Sequence, residues 1–271
     1  MSFFSFGTFN SNTYKLNLTT RQVYDAPVFD YTSVEVPGKS GDFLISQDRF
    51  KNKTIVYRGF FKASDFAGGT DWEKMHNAAT ELKGQLLRNS GDYQKLKDGY
   101  DDGLTRWAVV QGITITPIMD RPVGAEVEVT FNARPFMYDE DTSGYLSTGS
   151  SPVTSITLTN PYYFEAKPRF TIEPKGANNQ IRFTVNGNTW RLWKTSGTFS
   201  NSDYIYCNSE AMEWYTSSGV ITPAFCNVTN PTDTDGNEIP FPILKIGANT
   251  ISLPSSNEVA QMLVYPRWRT L

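Results

Sequence analysis

The fold prediction starts from residues Val36 to Phe61, which read Val-Pro-Gly-Lys-Ser-Gly-Asp-Phe-Leu-Ile-Ser-Gln-Asp-Arg-Phe-Lys-Asn-Lys-Thr-Ile-Val-Tyr-Arg-Gly-Phe-Phe. Pro37–Asp42 is predicted to be a turn-rich loop, because proline presets φ and the two glycines allow positive φ. The apolar run Phe43–Ile45 predicts a short buried strand. Beyond a polar link, apolar side chains recur at a period of two, as in a strand buried on one face: Ile55, Tyr57 and Phe61.

One amphipathic helix is predicted at about residues 71–88. It begins at a capping box, in which Thr70 and Glu73 each satisfy a backbone N–H that the first turn leaves unpaired. Apolar residues then recur at spacings of three and four and form one stripe: Trp72, Met75, Ala79, Leu82 and Leu86. A helix with such a stripe is expected to pack against a sheet.

The clearest strand alternation follows the helix. Apolar residues occupy one face and polar residues the other, with Ala125, Val127, Val129 and Phe131 facing away from Glu126, Glu128 and Thr130. This alternation is typical of a sheet with one buried face. A helix among such strands predicts an α+β first domain, a β-sandwich with one flanking helix.

A change in composition at Asp139–Ser151 predicts the connection between two domains, 1–138 and 139–271. The segment consists mostly of small polar residues, and it has few apolar side chains whose burial could offset the entropy lost on ordering. Beyond it, Asn186-Gly187 matches a two-residue hairpin turn, and about eight short strands predict an all-β sandwich or jelly roll. The predicted fold is therefore mainly β, with two β-sandwich domains.

The composition suits a folded protein and argues against two classes of partner. The chain has 271 residues, of which 39% are hydrophobic and 14% aromatic, as expected of β-rich domains with cores. With a net charge of −3 and no basic block, it is not expected to grip DNA by neutralising phosphates. No window approaches the ~18 apolar residues of a membrane span, and the N-terminus lacks a signal-peptide pattern. We expect a soluble protein made in a cytoplasm.

No catalytic, cofactor or metal site is expected. His76, the only histidine, lies beside the apolar stripe of the predicted helix, where a packing or surface role is expected and not a place in a catalytic triad. Cys207 and Cys226 lack metal-ligand spacing and are expected to be separate buried thiols. The acidic run Asp233–Glu238 does not have the spacing of an EF-hand loop and is expected to be an ordinary turn.

Aromatic residues in the second domain suggest an alternative role, because sugar-binding sandwiches place exposed aromatic faces against pyranose rings. The candidates are Trp190, Trp193 and Trp214. At strand spacing Trp190 and Trp193 face opposite sides of the sheet, so at most one of them belongs to the core. Core packing and interface contacts are the simpler explanation, since a fold alone does not imply sugar binding.

Four segments, in order along the chain, resemble the distal tail protein (Dit) family of long-tailed bacteriophages. The first is the loop Pro37–Asp42 that leads into a strand, and the others are Asn160–Pro168, Phe241–Ile251 and the C-terminal Pro266–Leu271. The resemblance implies an N-terminal β-sandwich with a flanking helix and a C-terminal galectin-like β-sandwich. The last residues, 266–271, are expected to return to the first domain.

The resemblance also implies a structural virion protein that is not an enzyme. Members of the family form a homo-hexameric ring at the distal end of the tail tube. The ring carries a tail-associated lysin or adhesin and receptor-binding baseplate proteins, and leaves a lumen for DNA passage. We expect synthesis in the bacterial host cytoplasm, a final location at the phage tail tip, no cofactor and no membrane.

Two alternatives to the hub role stay open. One is a carbohydrate-binding module that contacts the host cell wall through the C-terminal sandwich. The other is a wall hydrolase, which the missing catalytic constellation disfavours.

A ring closes through heterologous contacts that repeat by rotation, and an extended hairpin laid on the neighbour's sheet would supply them. The loop Pro37–Asp42 and the polar segment Asp92–Gly103 are candidates for such reach. Charged residues in and beside the loop are candidates for pairing across subunits, with ordinary solvated loop charges as the simpler explanation: Lys39, Asp42, Asp48 and Arg49.

Overall fold

The structure is a computed structural model that describes residues 3–19, 25–88, 91–99, 101, 103–118, 123–140, 142–222 and 225–271. Over these residues the chain is mainly β and has one α-helix, which confirms the predicted fold class. The chain divides into two units, Met1–Met137 with Leu271, and Tyr138–Thr270. Within the described ranges, no helix is long and apolar enough to span a membrane.

The first unit contains strands, one α-helix and a short 3₁₀ helix. In chain order these are β1 (Phe4–Phe6), β2 (Phe9–Asn10), β3 (Asn17–Leu18), β4 (Phe29–Val34), β5 (Phe43–Phe50), β6 (Lys53–Lys62), the 3₁₀ helix (Ala63–Asp65), α1 (Asp71–Leu87), β7 (Gln94–Asp98), β8 (Leu104–Pro117) and β9 (Gly124–Asp139). One sheet has the order β2-β1-β7-β8-β9-β6-β3, whereas β4 and β5 pair separately.

Strands β6 and β9 alternate as the sequence predicts. They form an antiparallel pair that runs from Lys53 opposite Ala133 to Lys62 opposite Gly124. The predicted inward residues of both strands are buried, namely Ile55, Tyr57, Phe61, Ala125, Val127, Val129 and Phe131. The prediction of one buried face is therefore confirmed.

The main sheet folds over on itself and encloses the core. Phe4 of β1 stacks on Tyr57 of β6 with ring centroids 4.4 Å apart, and its ring meets that of Phe131 on β9 at 5.6 Å. β1 is not a neighbour of β6 or β9 in the sheet. These contacts therefore require two parts of the sheet to lie face to face, as in a sandwich.

Helix α1 begins at the predicted capping box. The Thr70 hydroxyl accepts from the Glu73 backbone N–H at 3.2 Å, and the Glu73 carboxylate accepts from the Thr70 N–H at 2.8 Å. The buried residues are Met75, Ala78, Leu82 and Leu86. Met75, Leu82 and Leu86 are buried as predicted, and Ala78 is buried in addition, while Ala79 is only partly buried. Trp72 has 55% of its surface exposed. Its predicted core position is wrong.

Within the segment Asp92–Gly103, whose residues Tyr100 and Asp102 lie outside the described ranges, the part from Gln94 to Asp98 does not reach outwards as predicted. It contains β7, which lies between β1 and β8 in the main sheet. Leu96 of this strand is buried in the core.

Strands β4 and β5 form a two-stranded antiparallel hairpin outside the main sheet. The predicted loop Pro37–Asp42 connects them, and Gly38 and Gly41 adopt φ values of 81° and 87°, which favour glycine. The apolar run Phe43–Ile45 is in a strand, as predicted, but its side chains are 54%, 58% and 44% exposed in sequence order. Its predicted burial is wrong, because this strand pairs with β4 outside the core clusters.

The second unit is a sandwich of two sheets. Its strands are β10 (Gly144–Ser147), β11 (Ser155–Asn160), β12 (Arg169–Pro174), β13 (Gln180–Val185), β14 (Asn188–Lys194), β15 (Ile205–Asn208), β16 (Glu213–Thr216), β17 (Gly219–Val220), β18 (Cys226–Thr229), β19 (Gly247–Ser252), β20 (Val259–Tyr265) and β21 (Trp268–Thr270). One sheet has the order β10-β20-β12-β15-β16-β17 and the other β11-β19-β13-β14-β18, and β21 belongs to neither of them. Phe170 of the first meets Phe183 of the second at 5.3 Å in the core between them.

Two details of the second unit bear on the sequence predictions. Asn186 and Gly187 adopt φ values of 51° and 88° in the β13–β14 turn, as the predicted hairpin turn requires. The stretch Asp139–Ser151, predicted to be a connection, contains β10, and Leu146 is fully buried in the core. It is therefore part of the sandwich, because β10 pairs with β20.

Candidate functional site

The hairpin of β4 and β5 carries a patch of exposed apolar side chains, here called the hairpin patch. Its members are between 39% and 58% exposed: Phe29, Tyr31, Val34, Val36, Phe43, Leu44 and Ile45. Val34 lies opposite Phe43, and Ser33 lies opposite Leu44. Because successive residues of a strand point to opposite faces, the hairpin is apolar on both of its faces.

The base of the hairpin is attached to the rest of the first unit by aromatic contacts. The Phe50 ring meets Phe29 at 5.2 Å and Phe136 of β9 at 5.7 Å, both edge to face. The Lys51 N–H also donates to the Val28 carbonyl at 2.8 Å. The hairpin is thus fixed at its base, while its apolar strands extend outside the core.

Arg49, predicted to pair across subunits, forms its ion pair within the hairpin. Its Nε donates to Asp30 at 2.9 Å, and Lys51 Nζ lies 3.3 Å from the other Asp30 oxygen. Burial acts to raise the pKa of Asp30, but the hydrogen bonds and charges of Arg49 and Lys51 outweigh it and hold that pKa below its usual value. The pair therefore braces the base of β4 against β5.

The other three predicted interface residues are exposed. Asp42 accepts a hydrogen bond from the Ser33 hydroxyl, and Asp48 accepts one from the Ser46 hydroxyl at 2.6 Å. Lys39 has no ion pair within the described ranges. The structure does not pair any of the four predicted residues with another of the four, and Lys39 carries a free charge beside the hairpin patch.

The first unit also buries a cluster of ionisable residues. The Tyr57 hydroxyl donates to Asp98 at 2.9 Å, and Arg106 donates to the Pro135 carbonyl at 3.2 Å. Burial, with the charge of Asp98, raises the pKa of Tyr57 far above its usual value, and burial lowers the pKa of Arg106. Tyr57 therefore stays protonated, and these contacts hold strands together without exposing a reactive group.

The residues considered for catalysis or metal binding do not form a reactive site. His76 is exposed on α1. Cys207 and Cys226 are free thiols, both buried. Asp233 accepts hydrogen bonds from the backbone N–H groups of Asn237 and Asp235 at 2.8 and 2.9 Å, and the hydrogen bonds from Asn237 are the main cause that lowers the pKa of Asp233. Among the residues that the structure describes, no group of three or more His, Cys, Asp or Glu is placed to hold a metal ion.

The three candidate saccharide-facing tryptophans lie in different environments. Trp190 is 1% exposed, and its Nε1 donates to the Ile239 carbonyl at 3.2 Å. Trp214 is buried in the same core. The prediction is corrected for these two, because rings enclosed between the sheets cannot contact a sugar. Trp193 faces the opposite side of β14 from Trp190, as predicted, and is 37% exposed.

Sequence comparison identifies no relative: no protein-family model matches the chain, and no curated protein matches it. Solved structures do match. The crystal structure of the SPP1 Dit protein, a paradigm of the hub adsorption apparatus in Gram-positive infecting phages, is similar over 100% of both chains, with a TM-score of 0.69 and 11% sequence identity. The chain has the fold of SPP1 Dit. The resemblance seen in the sequence is thereby confirmed at the level of the fold.

A weaker likeness involves the phage p2 baseplate in its activated conformation, solved with Sr and with Ca. In both cases 97% of each chain is covered, with a TM-score of 0.48 and 11% identity. At such identities a common fold does not by itself establish a common role.

Proposed function

We propose that the protein is a structural virion component, a hexameric hub at the distal end of a phage tail tube. The observation that carries the proposal is the hairpin patch. An isolated two-stranded hairpin is marginally stable in water, and exposed apolar patches commonly mark interaction sites. The full-length likeness to a phage hub protein supports the same role, since it includes both units.

In this proposal the hairpin packs on the neighbouring subunit. The contact is heterologous, because the hairpin meets a different surface of the next chain, and repetition by rotation closes a ring. Among the described residues β4 and β5 form a sheet of two strands only, and a strand of the neighbouring subunit can extend it by backbone hydrogen bonds. Apolar side chains on both faces of the hairpin fit a position between two surfaces.

The charged residues beside the hairpin patch have separate proposed roles. Lys39, Asp42 and Asp48 are exposed and lie at the proposed subunit interface. Arg49 acts indirectly there, because its contact with Asp30 supports the hairpin.

The two units are proposed to divide the work of the hub. The first, close to the predicted domain 1–138, builds the ring. The second, galectin-like in the predicted scheme and close to 139–271, lies at the periphery, and residues 266–271 return to the first domain. The ring joins the tail tube protein and carries a tail-associated lysin or adhesin and receptor-binding baseplate proteins.

The lumen of the proposed ring lets DNA pass without gripping it. The net charge of −3 supports this, because a surface that binds phosphates tightly is basic. The protein is proposed to be non-enzymatic, to be made in the host cytoplasm and to end in the virion. An assay on purified host cell walls tests whether the protein is non-enzymatic, and release of wall fragments would contradict that proposal.

Light scattering across concentrations, followed by negative-stain imaging, tests the ring. We expect a particle near six times the 30.5 kDa chain, seen as a six-fold annulus with a central opening. The measurement is repeated with the tail tube protein of the same phage. A monomer in both cases would refute the ring.

A further inference from the structure

The outer face of the β11-β19-β13-β14-β18 sheet carries a compact polar surface around one exposed ring. Its residues form two cross-strand rows, Gln180–Trp193–Asn227 and Arg182–Arg191–Thr229. Both rows point away from the core, because the alternate residues of β13 and β14 are buried. This group of six residues is called the Trp193 surface.

Arg191 fixes the orientation of the tryptophan. Its guanidinium carbon lies 4.0 Å from the centroid of the Trp193 ring, within the range of a cation–π contact. The guanidinium therefore covers one face of the ring, and Trp193 as a whole is 37% exposed. Arg191 Nε is buried without a hydrogen-bond partner among the described residues, so this arrangement costs the free energy of one unpaired buried donor.

Fixed hydrogen-bonding groups surround this ring. Arg182 Nη2 donates to Glu258 at 2.6 Å, and Gln180 Nε2 donates to the same carboxylate oxygen at 3.0 Å. The Glu258 side chain is 5% exposed, whereas that of Arg182 is 37% exposed. The carboxylate thus holds Arg182 in place while part of its guanidinium faces solvent. Asn227, exposed beside Trp193, offers both a donor and an acceptor.

We infer that the Trp193 surface binds a saccharide. A pyranose ring presents an apolar C–H face, which the exposed part of the Trp193 ring can stack against. Its hydroxyl groups both donate and accept, and the amides of Gln180 and Asn227 do the same, while Arg182 donates. An exposed aromatic ring with hydrogen-bond donors and acceptors beside it therefore supplies both kinds of contact that a sugar makes.

The size and composition of the surface favour a saccharide over a protein partner. Three strands and two rows span roughly 10 Å by 7 Å, given the usual strand spacing and rise. A stable protein interface buries about 800 Å² on each partner around an apolar centre. The neighbours of Trp193 here are amides, guanidinium groups and a threonine, so the surface has one apolar platform and no apolar centre beyond it.

The test uses the full chain and does not depend on the proposed hub role. An array of N-acetylglucosamine oligomers and soluble fragments of bacterial wall polysaccharide is screened, and the best binder is titrated against each variant. Trp193→Ala is expected to weaken binding by at least about tenfold, and Trp193→Phe by less, because it keeps an aromatic face. Asn227→Ala leaves the ring in place and is expected to weaken binding severalfold.

Trp72→Ala is the matched control, because it removes an exposed tryptophan from the first unit. It is expected to leave the affinity unchanged, and circular dichroism verifies that each variant is folded. Failure of the wild-type chain to bind any of these saccharides would overturn the inference. Equal saccharide binding by the wild type and by folded Trp193→Ala would also overturn it. So would the finding that Trp193→Ala abolishes binding of a protein partner while the wild type binds no saccharide.

Discussion

Replacement of Leu44 by aspartate is the sharpest test of the proposed ring. Leu44 is 58% exposed on the hairpin and lies opposite Ser33. It belongs to neither core cluster, so Leu44→Asp is expected to leave the fold of the chain intact. If the hairpin packs on a neighbouring subunit, the same change places a carboxylate in every subunit contact of the ring.

The expected size of the effect follows from exposure. Full burial of a leucine side chain contributes about 1.5–3 kcal/mol. Because somewhat more than half of Leu44 remains exposed in the single chain, the apolar part of the loss is about 1–2 kcal/mol per contact. An unpaired carboxylate adds a desolvation penalty of several kcal/mol. A total near 4 kcal/mol per contact would weaken each one about a thousandfold.

Size-exclusion chromatography with light scattering measures the outcome, and thermal unfolding verifies the fold. The matched control is Ile246→Asp, since Ile246 is 57% exposed and lies in the second unit. We expect the wild type and the control to assemble and Leu44→Asp to remain a folded 30.5 kDa monomer. A Leu44→Asp ring that forms at the wild-type concentration would refute the placement of the hairpin at the subunit contact.

Three further predictions concern the single chain. Trp190→Ala is expected to destabilise the second unit by about 3–5 kcal/mol, measured by chemical denaturation, because it leaves a cavity in the core. Burial raises the pKa of Cys207 to about 12 and that of Cys226 to about 11, so at pH 8 neither thiol is expected to react with a disulfide reagent until the chain is denatured. Thr70→Ala is expected to destabilise α1 by about 1 kcal/mol in thermal unfolding followed by circular dichroism. The hydrogen bond from the Thr70 N–H lowers the pKa of Glu73. The stability that ionised Glu73 contributes to the helix is therefore complete above the usual glutamate pKa of about 4.3, and it is lost as pH falls through the lower pKa of the folded state.

Each of these predictions has an outcome that contradicts it. Trp193→Ala removes the same ring from the exposed side of β14, and a loss of stability equal to that of Trp190→Ala would refute the core assignment. Rapid labelling of native Cys207 or Cys226 would show that burial does not protect these thiols. A Glu73→Gln variant should lose this decrease in stability at low pH. An unchanged dependence of stability on pH would assign the effect to another group.

Local patterns were the part of the fold that the sequence predicted well. The alternation at Ala125–Phe131 and the capping box at Thr70 depend on neighbours within a few residues, and both are present in the structure. Strict alternation at Trp190 and Trp193 also predicted their opposite orientations. Which of the two rings is buried depends on the partner sheet, whose position is not encoded locally.

Tertiary context explains the misplaced elements. Asp139–Ser151 is mostly polar, yet its strand β10 belongs to the sandwich, because it pairs with β20, more than a hundred residues later, and buries Leu146 in the core. The Trp193 surface was only partly predictable for the same reason. Trp193 was identified by residue type, and the predicted Asn186-Gly187 hairpin places Gln180 opposite it. Asn227 becomes its neighbour only through pairing with β18, a strand that does not follow β14 directly along the chain.

The exposed run Phe43–Ile45 links the error in the fold prediction to the proposed function. A continuous apolar run is typical of a strand covered on both faces, and it says nothing about which chain supplies the cover. In the single chain these side chains are about half exposed, although the strand itself forms as predicted. If a neighbouring subunit covers them, the sequence pattern and the exposure are consistent, and the burial it indicates is that of the assembled ring.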